Sequence, residues 1–296
     1  MTKIPVGETI ASAYRFAFVE LEKVIGAIWL PAIVLTIIDY FVNGSMLAAR
    51  GAAMSSGDAS QLAPVVAGQI GYVFIALLLK AVIAVAICRE ILKPLERPQW
   101  LRFSLGGAEF RFVGTMLALM ALAMLIALLC MIAGSSIAGA VPVAGLAAAE
   151  KTLGVAALIA FLLSPVLIYL FVRLGTLALP GVVLEGGIGL ERSWTLLKGN
   201  VGRMLIIMLA VGVPVMLVYL LLYGMILGPD SFLNPHINII GDAAARQRYE
   251  IDIVHQTAAR LPWLEGLNFI LAPFLYGLWF AAPAFAYKAL TGAPKA

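Results

Sequence analysis

The chain alternates between six long apolar stretches, at roughly residues 24–44, 65–88, 113–133, 153–172, 204–227 and 266–287, and short intervals that carry nearly all of its charge. Crossing a bilayer takes about 20 mostly apolar residues, because an α-helix rises about 1.5 Å per residue and lipid offers no partner to backbone polar groups. The pattern predicts an all-α integral membrane protein with six transmembrane helices, forming one membrane domain over residues 1–296. After the third stretch, residues 134–145 read GSSIAGAVPVAG, whose Gly, Ser and Pro predict a loop or re-entrant piece rather than more span. The longest polar interval, residues 228–265, is expected to be an outer loop with a short helix near residues 242–261.

A second periodicity precedes the fifth stretch, in ERSWTLLKGNVGR at residues 191–203. On a helix, Leu190, Trp194, Leu197, Val201 and Leu205 fall on one stripe, with Glu191, Arg192, Thr195 and Lys198 off it. Such a segment is expected to lie in the membrane surface, with Trp194 at headgroup depth and Arg192, Lys198 and Arg203 towards lipid phosphate. Gly199 suits the left-handed position that ends a helix, and Asn200 the N-cap of the following span. Near the N-terminus, Ile10, Tyr14, Ala17, Leu21 and Val24 repeat the stripe, and residues 102–114 (RFSLGGAEFRFVG) repeat it more loosely. Short amphipathic interfacial helices are therefore predicted before spans one, three and five, each with its apolar face on lipid or beneath neighbouring spans, and with membrane lipids as their partners.

Composition strengthens the membrane assignment. Hydrophobic residues make up 62% of the 296 and charged residues 12%, against about 25% charged in soluble domains, and mean hydropathy is +1.01. A net charge of +4 is spread beside the apolar stretches rather than gathered in a patch, which argues against nucleic acid as a partner. With both termini cytoplasmic, the inner intervals hold 14 of the 20 basic residues and the outer ones five, the bias that sets orientation in membranes. Lys23, Arg111 and Arg203 stand before spans one, three and five at separations of 88 and 92 residues, a weak three-hairpin repeat that the same bias also explains.

Groups able to do chemistry are few. His236 and His255 lie 19 residues apart in the outer loop, and Cys88 and Cys130 lie in apolar stretches, so neither pair has metal-ligand spacing. Asp230 stands near His236 in GPDSFLNPH, but Pro229 and Pro235 read as turn residues. There is no G-x-S-x-G elbow or P-loop. EGGIG at residues 185–189 follows no strand, and its glycines are better suited to a bend after Pro180. No catalytic residue, metal or cofactor is expected. Gly224 and Gly228 form a G-x-x-x-G that offers a packing face to a second copy or another membrane protein.

Two ionisable residues fall inside apolar stretches. Asp39 and Lys80 lie about 22 Å and about 13 Å from the inner edges of spans one and two. A charge at the membrane centre costs at least ~2.5–3.5 kcal/mol, so each needs an interior partner, a cavity or a route to water. Either they border an ion, proton or substrate path, or Asp39 is solvated near the outer interface beside Asn43 while Lys80 snorkels; the second is favoured. Their offset of about 9 Å allows a direct pair only if the helices tilt. Pro31, Pro165, Pro214, Pro273 and Pro283 interrupt the spans at places where kinks could open cavities.

The pattern Arg192-Ser193-Trp194-x-Leu196-x-Lys198-Gly199-Asn200-x-x-Arg203 before a span resembles the signature of a bacterial membrane family. That family comprises the membrane domain of glycerophosphoryl diester phosphodiesterases and their stand-alone relatives. The resemblance implies a six-helix bundle in the bacterial inner membrane and brings no activity, because the phosphodiesterase chemistry of such fusions resides in a separate soluble barrel. The expected role is non-enzymatic, a structural or lipid-associated scaffold. The alternative is a small transporter, or a transporter's membrane subunit, for a lipid-like or amphipathic substrate.

Overall fold

Each apolar stretch becomes the body of one long helix. The structure is a computed structural model that describes residues 2–58, 60, 63–93, 105–140, 148–228 and 243–292. Among them run nine α-helices and no strand: α1 (Val6–Phe18), α2 (Leu21–Ser56), α3 (Ala63–Leu92), α4 (Gly107–Ala140), α5 (Ala148–Gly175), α6 (Ala178–Glu185), α7 (Leu190–Leu196), α8 (Val201–Leu227) and α9 (Ala243–Thr291). Six of these elements, α2, α3, α4, α5, α8 and α9, are long and apolar enough to cross a membrane, consistent with a multi-spanning membrane protein.

Two helices run further than their apolar stretches. The helix expected near residues 242–261 and span six form one element, the 49-residue α9. It stays helical because α2 also runs on, as far as Ser56, and the two lie side by side in opposite directions. Gly44 and Gly51 of α2 make room for Leu261 and Val254, and Gln247 Nε2 donates to the Met54 carbonyl at 2.8 Å. Likewise α4 continues to Ala140 through residues expected to form a loop. There the small residues serve helix packing: a Cβ on Gly134 would stand 2.9 Å from Ala156 Cβ and from the Thr152 carbonyl oxygen of α5. The segments 141–147 and 229–242, with Asp230 and His236, lie outside the described residues, as does Arg102.

The best-packed part of the bundle is the end that carries both termini, here the terminal end. Ala281, Ala282, Ala284 and Ala286 of α9 are fully buried, as is nearly every side chain of α3 over residues 81–88. Small side chains on α9 let α1, α2, α3, α6 and α8 all approach it. The α4–α5 hairpin, by contrast, leaves Met124, Leu128, Phe161 and Leu162 exposed, as lipid-facing side chains would be.

The N-terminal segment packs its apolar face beneath neighbouring spans, one of its two expected placements. Helix α1 stops at Val19, so Leu21 and Val24 belong to α2. It packs against α8 and α9, burying Ala13, Phe16 and Ala17. Its Tyr14 hydroxyl donates to the Ala210 carbonyl at 3.0 Å. In a regular helix that carbonyl would take the N–H four residues on, but residue 214 is proline and has none. Tyr14 thus supplies a donor that α8 cannot provide for itself.

Tyr14→Phe is expected to lower stability by about 0.5–1.5 kcal/mol. Pro214→Ala returns a backbone donor to Ala210, so the loss should shrink in that background. Thermal unfolding of the four proteins in detergent micelles measures the coupling, and equal losses in both backgrounds would disprove the link.

Candidate functional site

The stretch from Glu191 to Arg203 folds as a clasp at the terminal end. Helix α7 spans only Leu190–Leu196, and turns follow from Leu197 to Asn200. Its buried face is Ser193 and Leu197, while Trp194 points outward at 37% exposure; the stripe that placed Trp194 beside Leu197 breaks because the helix ends before it can repeat. Ser193 Oγ donates to the Arg173 carbonyl at 2.8 Å and accepts from Leu177 N–H at 3.2 Å, which closes the end of α5. Arg173 in turn covers the Trp194 ring, its guanidinium carbon 3.6 Å from the ring centroid. Such a stack contributes about 0.5–1 kcal/mol at an exposed site.

The other motif residues hold neighbouring segments. Arg192 Nε lies 2.8 Å from Glu185 Oε1, and the Tyr287 hydroxyl donates to the same oxygen, joining α6, α7 and α9. Contact with Tyr287 first, and the Glu185 carboxylate after it, keep Arg192 above its already high pKa. Both members of the ion pair are well exposed, so it contributes at most about 1 kcal/mol. Gly199 has the expected left-handed backbone, φ 77°. Asn200 stands at the start of α8, but its side chain makes no cap hydrogen bond. It accepts from Ile4 N–H and donates to the Thr2 carbonyl, each at 3.1 Å, and Arg203 donates to the Ile4 carbonyl at 2.9 Å. Lys198 is exposed and, among the described residues, has no side-chain partner.

The loop before α7 fits just as closely. A Cβ on Gly189 would fall 2.1 Å from the Ala178 carbonyl oxygen, and Gly186 and Gly189 both have positive φ, so the EGGIG glycines permit a tight return. Thr115 Oγ1 donates to the Ile188 carbonyl at 2.6 Å and ties α4 to this loop. Beside it, Arg89 Nη1 pairs with Glu109 Oε1 at 3.0 Å while Glu109 Oε2 accepts from Gly106 N–H at 2.9 Å. Glu109 is 1% exposed. The third amphipathic segment has no separate helix among the described residues, because from Gly107 onward it forms the first turns of α4.

Inside the bundle, Asp39 and Lys80 do not pair. Asp39 Oδ1 accepts from the Tyr72 hydroxyl at 2.7 Å. Lys80, eight residues beyond Tyr72 on α3, is therefore about 12 Å further along the axis. A second polar chain escaped the hydropathy pattern. Glu265, 5% exposed, accepts from Asn43 Nδ2 at 2.9 Å and Asn268 Nδ2 at 3.2 Å, and the Tyr219 hydroxyl donates to Asn268 Oδ1 at 3.0 Å. These contacts join α2, α8 and α9. Sequence reading put Glu265 at the edge of the outer loop; the spacing Glu265 to Asn268, one helical turn, was the available signal. Arg260, also counted in that loop, donates to the Ile226 and Leu227 carbonyls and so satisfies the end of α8. Its guanidinium also lies beside Gly228, so one glycine of the G-x-x-x-G already faces a side chain of its own chain.

Lys80 opens into a groove of about 700 Å³ between α8 and α9. The walls are apolar, with Met208, Val215 and Met216 on α8 and Leu275, Trp279 and Phe280 on α9. Tyr219 and Tyr276 also border it. Cys88 and Cys130 are buried and unbonded to each other, and among the described residues no three His, Cys, Asp or Glu side chains converge as a metal site would require.

Asn200→Ala removes both contacts to the first residues and leaves the Ile4 N–H unsatisfied, so a loss of about 1–3 kcal/mol is expected. Hydrogen exchange should report faster exchange at Ile4, with the halves of α4 and α5 far from the terminal end unchanged. Unaltered protection at Ile4 would refute the clasp. No protein-family model matches the chain, and neither a curated protein nor a solved structure matches it.

Proposed function

We propose that this is a non-enzymatic, six-span protein of the bacterial inner membrane, with both termini cytoplasmic, that serves as a lipid-associated scaffold. The terminal end would face the cytoplasm and rest on anionic headgroups through Arg192, Trp194, Lys198 and Arg203. One observation carries this reading: the conspicuous motif at residues 191–203 is engaged in holding α1, α5, α6 and α9 together, while Lys198 beside it stays exposed with no side-chain partner among the described residues. A fixed rim with an unspent cation suits a headgroup better than a reaction. The resemblance to the glycerophosphodiesterase membrane domain supports the same placement.

A second reading, a small transporter or transporter subunit for a lipid-like substrate, is favoured by the groove beside Lys80. It requires flux, which Asp39→Asn or Lys80→Met would abolish in proteoliposomes without loss of folded protein.

Lys198 contributes no side-chain contact to the clasp, so replacing it tests the rim without disturbing the fold. One basic residue near an anionic surface contributes about 1 kcal/mol, so Lys198→Gln is expected to weaken the preference for phosphatidylglycerol over phosphatidylcholine about fivefold. Native mass spectrometry of the protein released from mixed-lipid nanodiscs reads that ratio, and an unchanged ratio would reject the headgroup role.

A further inference from the structure

The groove combines an apolar trough with two polar groups that nothing among the described residues satisfies. Lys80 is exposed into it, and among the described residues no carboxylate comes within ion-pair distance of its ammonium. Tyr276 borders the same space, and its hydroxyl makes no hydrogen bond among the described residues. The nearby carboxylates are already engaged, Asp39 with Tyr72 and Glu265 with Asn43 and Asn268. An ammonium in this setting is costly unless something anionic or wet reaches it.

Snorkelling is a poor remedy at this position. The nearer surface lies towards Arg89, nine residues on and about 13 Å away. Side chains on a helix lean towards its N-terminus, and for α3 that direction is away from Arg89. The remaining sources of compensation are water in the groove and an anionic ligand, and the apolar walls favour a ligand that brings its own apolar chain. A volume of about 700 Å³ falls within the usual range for a pocket that holds one small molecule, and it is too small for a whole two-chain phospholipid.

We propose that the groove between α8 and α9 binds a single-chain anionic amphiphile, its acidic head paired with Lys80 and hydrogen-bonded by Tyr276, and its chain laid along Met208, Val215, Met216 and Leu275. The proposal rests on the lipid-like-substrate reading of the groove and names its cargo; it is independent of the headgroup rim. Binding puts the acidic head deeper than the surrounding headgroups, which separates this occupant from ordinary annular lipid. Gly212 sits in the groove wall, where a Cβ would approach Trp279 at 3.3 Å, so a larger side chain there narrows the trough without touching Lys80.

The test uses the full chain in phosphatidylcholine nanodiscs, with a diazirine-bearing palmitate as probe. Labelling is expected on α8 and α9 around residues 208–216 and 275–280, displaced by palmitate and not by hexadecanol. Lys80→Met should weaken palmitate competition about tenfold or more, Lys80→Arg should retain it, and Tyr276→Phe should weaken it about fivefold. Gly212→Leu should remove labelling with Lys80 intact. Thermal unfolding guards against a misfolded variant, because loss of an unpaired intramembrane charge should leave Lys80→Met at least as stable as the parent. Equal labelling of parent and Lys80→Met, or equal competition by hexadecanol, would overturn the proposal. Binding without flux in proteoliposomes would sink the transporter reading and leave the binding site standing.

Discussion

Every backbone N–H and C=O that enters hydrocarbon must find its partner within the protein. Straight helices meet that demand alone, and several departures from them here are matched by a side chain from elsewhere. Pro214 leaves the Ala210 carbonyl without its usual donor, and Tyr14 of α1 supplies one. Helix α8 ends at Leu227, and Arg260 of α9 reaches its last carbonyls. Helix α5 ends at Gly175, and Ser193 bridges the Arg173 carbonyl and the Leu177 N–H. The motif around residues 191–203 belongs to the same pattern: Asn200 and Arg203 satisfy the backbone of residues 2–4. Its polar side chains are accounted for by what the chain must do to end and restart helices at a membrane surface.

That constraint also decides how the helices associate. Lipid tails are as apolar as leucine, so burial alone gives helices little reason to prefer each other over lipid. Association comes from close backbone approach and interhelical hydrogen bonds. The terminal end uses the first, through the alanines of α9 at residues 281–286 and Gly277, beside which Ala17 and Val24 pack. The far half uses the second, through Asp39 with Tyr72 and through the chain Asn43, Glu265, Asn268 and Tyr219. The α4–α5 hairpin is held at its base by Glu109, Thr115 and the Ser193 bridge to Arg173, and Gly134 packs its two helices on each other, while Met124, Leu128, Phe161 and Leu162 further along it are exposed.

Hydropathy made the six long helices legible because their length and apolarity are imposed by the bilayer, whatever the neighbours are. It failed where neighbours decide. Residues 242–261 read as a short, separate helix in an outer loop, yet α2 lies alongside residues 247–261 and α9 runs on unbroken into span six; that pairing joins the first and last spans, and no local pattern announces it. Residues 134–140 read as a break because Gly and Ser are weak helix formers in water, while against α5 the same smallness is what allows contact. The stripe of Leu190, Trp194, Leu197, Val201 and Leu205 runs across the corner that Gly199 and Asn200 themselves predict, and the turns that follow Leu196 cancel its periodicity and leave Trp194 facing outward. The positions of Asp39 and Lys80 along their helices were readable, but Tyr72 as the partner of Asp39 was hidden among other aromatic residues.

The contrast between Asp39 and Lys80 bears on what the bundle is for. A polar group that joins two helices strengthens the fold only when it is paired, and every intramembrane carboxylate described here is. Among the described residues Lys80 joins nothing, although replacing it with an apolar residue would cost the fold nothing at that point. Its surroundings are an open trough walled by α8 and α9 rather than a packed interface. A trough open to the side admits a molecule directly from the bilayer, where an apolar chain is already dissolved and needs no passage through water. The closed, small-residue terminal end holds the helices in place, and the splayed far half leaves one side accessible.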